Sequence, residues 1–360
     1  MPDTIYINGR FFSKQVTGVQ RYALEVLRHM DAFLQETAYS PLRMVCLVPP
    51  GKYPPTGWKR IEVRQVGANH ENIWEQVDLP LHARGALLFS PGNTGPLFYP
   101  NQVITIHDAS IFAVPQAYSR VFRIKYALTF HILARISRLV LTDSLFSQME
   151  LSHYLHVAPE HFKVILLGGD HLKEIDADAT ILDRHGITKN TYFLSVASQS
   201  VHKNFVRVLQ VASRVEPGVE FVAAGGSFKK VFQQAEIQPT PANVHLLGYV
   251  NDCELKALYE NALGFIFPSL YEGFGLPVLE AMNCACPVVC SRAASLPEVG
   301  GDAVLYFEPR NTDDLLAVLK RFLAEPALVA DLRARGSRQA QVFPWEKTAR
   351  ETLDMLVSCV

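Results

Sequence analysis

Short apolar runs alternate with stretches of helical periodicity along the whole chain, and the alternation restarts about half-way. Parallel α/β units require this pattern. A strand buried on both faces reads as a brief apolar run, and the helix returning across the sheet reads at a period of 3.6. In the first half, Thr4–Ile7, Met44–Val48, Leu87–Ser90, Val103–His107, Leu139–Thr142 and Lys163–Leu167 read as strands. After the first comes a helix with Val19, Tyr22, Ala23, Val26, Leu27 and Met30 on one face. In the second half the strand readings are Tyr192–Val196, Phe221–Ala224, Val244–Leu247, Gly264–Phe267, Pro287–Cys290 and Ala303–Phe307. Asn204 is expected to open a helix carrying Phe205, Val208, Leu209, Ala212 and Val215. Asn251 and Glu254 have the spacing of a capping box, and Thr312 is expected to cap a late helix. The polar stretch from Gly168-Gly169-Asp170 to about Asn190 reads as the interdomain linker. The expected architecture is two doubly wound, Rossmann-like domains facing across a cleft, with ligand at the strand C-termini.

The 360 residues, 49% hydrophobic and 19% charged, suffice for two cored domains. With 34 basic and 35 acidic residues the net charge is −1, which argues against bulk nucleic-acid binding. No apolar run approaches the roughly 20 residues of a membrane-spanning helix. Met1–Tyr6 runs straight into strand-like sequence without a signal-peptide pattern, and the six cysteines form no secreted framework. The expected compartment is cytoplasmic. Cys284, Cys286 and Cys290 are clustered, but they lack a fourth ligand or a nearby histidine. They read as small core residues, not as a zinc site.

Glu272 and Glu280 are the most informative polar pair. They lie in Phe267-Pro268-Ser269-Leu270-Tyr271-Glu272-Gly273-Phe274-Gly275-Leu276-Pro277-Val278-Leu279-Glu280. Gly273 and Gly275 let backbone approach a ligand closely, and Pro277 suits the first turn of a helix. A Gly-rich turn feeding a helix N-terminus binds phosphate through backbone N–H groups, while a carboxylate grips hydroxyls. Together these describe a sugar-nucleotide site. Lys203, at a strand-to-helix corner in Ser200-Val201-His202-Lys203-Asn204, is placed to neutralise a phosphate. Thr105-Ile106-His107-Asp108 ends an apolar strand; its His107 suits a sugar hydroxyl or proton transfer, and equally a structural strand-end contact. Thr17-Gly18, at a helix N-terminus, reads as a phosphate contact or as a simple cap. Arg120–Arg138 interleaves Arg120, Arg123, Lys125, Arg135 and Arg138 with Phe122, Tyr126 and Phe130. The favoured reading is a core helix with a solvated basic face; the alternative is a helix lying on an anionic membrane. His131, Trp74 and Glu75 have no assignment.

Together these motifs resemble the family 4 retaining glycosyltransferases, which have the GT-B fold. The resemblance is strongest from Tyr192 to Tyr306 and centres on the E-x7-E element, Glu272 to Glu280. The stretches PVVCSRAASLPEVGGDAVLYFEP, LLGYVNDCELKALYENA and VHKNF fit it, as does Phe343-Pro344-Trp345-Glu346-Lys347-Thr348. The first half is looser: TGVQRY, WEQVDLP and TIHDAS are similar to bacterial members that build surface polysaccharides. The resemblance implies an acceptor-binding domain over 1–168, a nucleotide-sugar-binding domain over 169–342, and a helix over 343–360 crossing back to the first domain. It implies that Glu280 holds the nucleotide ribose. Glu272 with Gly273, Phe274, Gly275 and Leu276 would hold the donor sugar and distal phosphate. Lys203 would stabilise the leaving diphosphate, His107 would contact the donor sugar, and Thr17-Gly18 would approach the phosphates. Tyr249 and Ser198 join the donor-binding set. Ser198 is a departure, because the family often has an arginine there. One charge and a hydroxyl replace two charges, and His202 and Arg292 are the candidates to compensate.

The expected activity is retaining, metal-independent hexosyl transfer from a nucleotide diphosphate sugar to a hydroxyl of a glycan or lipid-linked acceptor. Mannose is preferred, and GDP, UDP and dTDP donors stay open. No separate cofactor is expected. Peripheral membrane contact through the N-terminal domain is the further partner considered. The main rival is a nucleotide-sugar-binding module without catalysis. An NAD-dependent dehydrogenase fits poorly, since the turn at Gly225-Gly226 lacks G-x-G-x-x-G. A phosphorylase would need phosphate for activity.

Overall fold

The computed structural model describes residues 4–36, 39, 41–51, 53, 57–197, 200–226 and 241–360. The chain forms two compact units: Met1–Leu167 with Trp345–Val360, and Gly168–Pro344.

Among the described residues the first unit holds seven strands: β1 (Thr4–Asn8), β2 (Arg43–Val48), β3 (Glu62–Gln65), β4 (Leu87–Ser90), β5 (Gln102–Thr105), β6 (Leu139–Thr142) and β7 (Phe162–Val164). They form one parallel sheet in the order β3-β2-β1-β4-β5-β6-β7. Strand order reverses between β1 and β4, so the ends of these two strands border the sheet's switch point. Every residue of β4 and β5 is buried, as expected of strands covered on both faces. The longer helices before the crossing are α1 (Gly18–Phe33), α2 (Arg120–Ile136) and α3 (Leu145–Leu155). The C-terminal helix, Trp345–Val357, belongs to this unit and packs on α1. It buries Trp345, Ala349, Leu353 and Leu356, while α1 buries Tyr22, Ala23, Val26, Leu27 and Met30. Full burial of a leucine is worth about 1.5–3 kcal/mol, so this contact is a large part of the unit's core. Thr348 fixes the register by donating to the Leu166 carbonyl at 2.7 Å.

Residues 71–83 form a helix interrupted by one π-helical turn, Trp74–Asp78. The wider turn points Trp74 and Glu75 inward together. Trp74 is fully buried and its Nε1 donates to the Val66 carbonyl at 2.8 Å.

The second unit holds β8 (Tyr192–Ala197), β9 (Glu220–Gly225), β10 (Val244–Gly248), β11 (Gly264–Phe267), β12 (Val288–Ser291) and β13 (Leu305–Phe307). They form a parallel sheet ordered β10-β9-β8-β11-β12-β13, with its switch point between β8 and β11. Its helices include α4 (Val206–Ala212), α5 (Asp252–Glu260), α6 (Leu276–Asn283), α7 (Thr312–Ala324) and α8 (Pro326–Ala340). One core joins Phe193, Phe221 and Ile266 of the sheet to Leu209 of α4 and Leu315, Leu319 and Phe322 of α7.

Several local expectations need correction. β5 ends at Thr105, so His107 lies on the following loop. The last strand of the first sheet is Phe162–Val164 and stops short of Leu167. Asn204 does not open a helix: its φ of 52° is left-handed, and its side-chain amide donates to the carbonyls of Pro268 and Pro309. The cap of α7 is Asn311, whose Oδ1 accepts from the backbone of Asp313 and Asp314; Thr312 is the first helical residue. The polar stretch after Gly168 is not a free linker. It includes a short helix, Thr180–His185, and it is bonded into the second unit through Asp178 N to Cys253 O and Asn190 N to Asn261 O. The capping box of Asn251 and Glu254 forms as expected.

Candidate active site

In the second unit, the loops leaving β8 and β11 meet at the switch point. Leu270 N donates to His202 O at 2.7 Å, and Asn204 ties the same two loops. This brings Lys203 onto Glu272. The ammonium lies 2.8 and 2.9 Å from the two carboxylate oxygens and 5.7 Å from the Phe267 ring centroid. The Glu272 side chain is 11% exposed. Ser295 holds the turn behind it by donating to the carbonyls of Glu272 and Phe274 at 3.0 and 2.7 Å. Gly275 starts α6 with a φ of 113°, and a Cβ there would lie 2.6 Å from Leu296 Cδ2. Both conformation and space therefore demand glycine. Pro277, in the first turn, needs no hydrogen-bond partner for its nitrogen.

Glu280, one turn into α6, is buried and doubly bonded. Tyr259 of α5 donates to Oε2 at 3.1 Å, and His171 Nε2 lies 3.3 Å from Oε1. Burial, then the adjacent Glu280 charge, pushes the Tyr259 hydroxyl well above its ordinary value, so it stays a donor. Tyr259 read only as a helix core position, and His171 lay in the supposed linker. Neither carried a signal of its own.

The remaining members of the expected donor set are less tightly grouped. Tyr249 is exposed just beyond β10, and no hydrogen bond links it to Lys203 or Glu272 among the described residues. Ser198 lies outside the described residues. Of its two candidate substitutes, Arg292 stacks over the Tyr306 ring at 4.5 Å, and His202 Nδ1 lies 2.7 Å from Ser200 Oγ. Cys284, Cys286 and Cys290 are buried, and burial pushes the Cys284 thiol up to about 12. Among the described residues no group of three or more histidine, cysteine or acidic side chains has the geometry to hold a metal ion.

Thr17, Gly18 and His107 belong to the first unit. Gln20 Oε1 accepts from the backbone and hydroxyl of Thr17 at 3.2 and 2.5 Å, which fixes the start of α1. A Cβ on Gly18 would meet nothing within 4 Å, so packing alone does not require glycine there. His107 is 6% exposed. Its Nδ1 lies 2.8 Å from Asp143 Oδ2 and its Nε2 lies 3.2 Å from the Pro91 carbonyl. Both ring nitrogens face acceptors, an arrangement that favours the protonated ring beside Asp143. Burial opposes the charge on each partner. For His107 the Asp143 charge and hydrogen bond outweigh it and the pKa rises; for Asp143 burial wins and the carboxyl is also pushed up. Tyr22 packs edge-on against the ring at 4.9 Å.

At the switch point of the first sheet lies a small crevice of about 30 Å3, open to solvent and lined by Asn8, Arg10, Lys14, Val19, Glu75 and Thr94 among others. Its wall is a buried ion pair. Arg10 donates to Glu75 Oε2 at 2.6 Å, and Asn8 and Thr94 donate to Glu75 Oε1 at 2.9 and 2.8 Å. Arg10 Nε has no hydrogen-bond partner among the described residues. Lys14 is held below its ordinary value, first by burial and then by the Arg10 charge. Sequence reasoning left Glu75 unassigned, because an acidic residue in a helical stretch carries no mark of its buried partner Arg10, 65 positions away.

The model of the family described as "Glycosyl transferases group 1" matches residues 178–341, which contain Lys203, Glu272 and Glu280. Over 276 residues the chain is 33% identical to O-antigen chain mannosyltransferase B of Escherichia coli, covering 72% of each chain. The chain belongs to the group 1 glycosyl transferases. Solved structures of similar fold span nearly its whole length. Sucrose-phosphate synthase from Thermosynechococcus elongatus matches with a TM-score of 0.75 at 15% identity, covering 99% of this chain and 98% of that one. Anabaena HepE, solved in complex with UDP-glucose, matches with a TM-score of 0.74 at 15% identity, covering 99% of each. The expected GT-B fold of two Rossmann-like domains is thus observed, and the protein is a glycosyltransferase of the family 4 retaining type.

Proposed function

We propose that this glycosyltransferase moves a mannosyl group from a nucleotide diphosphate sugar to a hydroxyl of a glycan acceptor, lipid-linked, during assembly of a bacterial surface polysaccharide. The observation carrying the reading is the Lys203 ammonium held on both oxygens of Glu272 beside the N-terminus of α6. A diphosphate entering here takes the lysine and the backbone N–H groups from Gly273 to Leu276, and Glu272 is released to grip sugar hydroxyls. Glu280 takes the ribose. His107 and the open backbone at Thr17-Gly18 are assigned to the donor sugar and the phosphates. The acceptor hydroxyl attacks from the face the phosphate leaves, and the departing phosphate oxygen takes its proton. Lys203 and the helix dipole supply the positive potential, so the step needs no metal. Mannose is preferred because the E. coli relative is a mannosyltransferase of the O-antigen chain; GDP-mannose is the donor taken first, and UDP and dTDP sugars are the alternatives. The test is a thermal-shift and turnover panel of GDP-, UDP- and dTDP-sugars. GDP-mannose is expected to raise the melting temperature most and to be consumed in the presence of polysaccharide intermediates. A panel in which no nucleotide sugar shifts the melting curve or is turned over would sink the reading.

The crevice at Asn8, Arg10 and Glu75 is the acceptor site in this reading, since it lies at the switch point of the other sheet. Contact with the inner face of the membrane is assigned to α2. No described helix is long and apolar enough to cross a membrane. The outward face of α2, however, is not merely basic. Val121, Ile124 and Leu128 are 78%, 64% and 59% exposed and lie among Arg120, Lys125 and Arg135, all exposed, with no acidic residue between Arg120 and Arg138. Apolar insertion flanked by cations suits an anionic bilayer. The wild type is expected to co-sediment with phosphatidylglycerol vesicles and Val121→Asp/Leu128→Asp to stay in the supernatant. Equal sedimentation of both would remove α2 from that role.

A further inference from the structure

The segment that carries the chain into the second unit packs directly on the donor helix α6. A Cβ on Gly169 would lie 2.4 Å from Leu279 Cβ, so only glycine allows this approach. Gly169 N also donates to Phe343 O at 3.0 Å, fixing the segment. Two residues on, His171 reaches Glu280 Oε1 from one side, and Tyr259 reaches Oε2 from the other. The Tyr259 hydroxyl is also 3.4 Å from Pro277 O, but the shorter contact, to a charged acceptor, is the stronger one. His171 Nε2 faces a carboxylate oxygen, which favours the ring form protonated at that nitrogen.

A carboxylate offers about two acceptor sites on each oxygen. Among the described residues one donor lies on each oxygen, Tyr259 on Oε2 and His171 on Oε1, which leaves acceptor capacity on both. The Glu280 side chain is 10% exposed, so the remaining sites are reachable over a narrow face only. Two acceptor sites on one fixed carboxylate match two vicinal hydroxyls. A 2′-deoxyribose has only one of the pair and would strand a buried acceptor. Such a loss weighs more than a missing exposed hydrogen bond.

We propose that His171 and Tyr259 are positioning residues that lock the Glu280 carboxylate into selecting ribonucleoside diphosphate sugars over their 2′-deoxy counterparts. This rests on Glu280 being the ribose grip, and it disfavours the dTDP sugars among the alternatives above.

The test is calorimetric titration of the full chain with GDP and 2′-deoxy-GDP, repeated with UDP and 2′-deoxy-UDP. Wild type is expected to prefer the ribonucleotide by roughly tenfold or more. His171→Leu and Tyr259→Phe are each expected to weaken ribonucleotide binding by roughly tenfold and to shrink the ribo-to-deoxy ratio to about two or less. His171→Gln, which keeps a donor near the Nε2 position, should restore most of the ratio. General damage to the fold does not move that ratio selectively. Should His171→Leu fail to fold, Tyr259→Phe and His171→Gln decide the matter. A wild-type ratio in folded His171→Leu and Tyr259→Phe overturns the proposal while leaving the ribose grip intact. Glu280→Gln separates the two failures: unchanged nucleotide affinity in that variant removes the grip itself, and the positioning role with it.

Discussion

Lys203→Ala is expected to lower kcat by about 10²- to 10³-fold, the usual cost of removing one preorganised group that stabilises a leaving oxyanion. The ammonium rests on Glu272 and over the Phe267 ring, and its two contacts to the carboxylate, at 2.8 and 2.9 Å, hold it there. Without it, the departing diphosphate has only backbone N–H groups. The donor KM should change less than kcat, because the charge on the diphosphate grows mainly as the glycosidic bond breaks. Glu272→Ala should instead raise KM and lower kcat together, since it removes the sugar contact and frees the lysine. Steady-state kinetics on both variants checks this. Turnover within about threefold of wild type in both would take the pair out of the chemistry.

The second large effect falls on stability. Glu75→Ala leaves the Arg10 guanidinium, whose side chain is only 8% exposed, without its carboxylate. Stranding a buried charge costs about 3–5 kcal/mol. Asn8 and Thr94 lose their acceptor as well. All three tryptophans, Trp58, Trp74 and Trp345, lie in the first unit, so tryptophan fluorescence follows that unit alone. Its urea midpoint is expected to fall by about 2 M, taking a slope of about 2 kcal/mol per M. The double replacement Arg10→Met/Glu75→Leu should be milder than Glu75→Ala, because no charge is left uncompensated. A midpoint unchanged in Glu75→Ala would mean that solvent already reaches Arg10.

Legibility in the sequence followed burial. Gly264–Phe267 and Leu87–Ser90 were readable to the residue, because strands covered on both faces keep continuous apolar runs. β3, Glu-Val-Arg-Gln with all four residues exposed, left no such trace; it is a solvated edge strand. The Glu272 turn was legible because Gly275 and Pro277 are dictated by backbone geometry. The contacts behind Glu280 were not. A tyrosine in helical phase looks the same whether its hydroxyl meets a carboxylate or a carbonyl, and His171 reaches its partner only because Gly169 packs against α6. Glu75 was lost for a third reason: its partner Arg10 lies 65 positions away, and nothing local marks a buried ion pair.

The chain enters the second unit at Gly168 and leaves it at Pro344, and the backbone bond between Gly169 and Phe343 fastens entry to exit. The second unit is thus an uninterrupted stretch with adjoining ends, set into a first unit made of two separate pieces. Truncation after Leu167 would strip α1 of the helix that covers it, and a fragment bearing only the early residues would expose Tyr22, Val26 and Leu27. A chimera that exchanges the second unit between relatives should therefore be spliced at two points, inside Leu167–Gly168 and inside Pro344–Trp345, with the final helix kept from the parent that supplies the first unit.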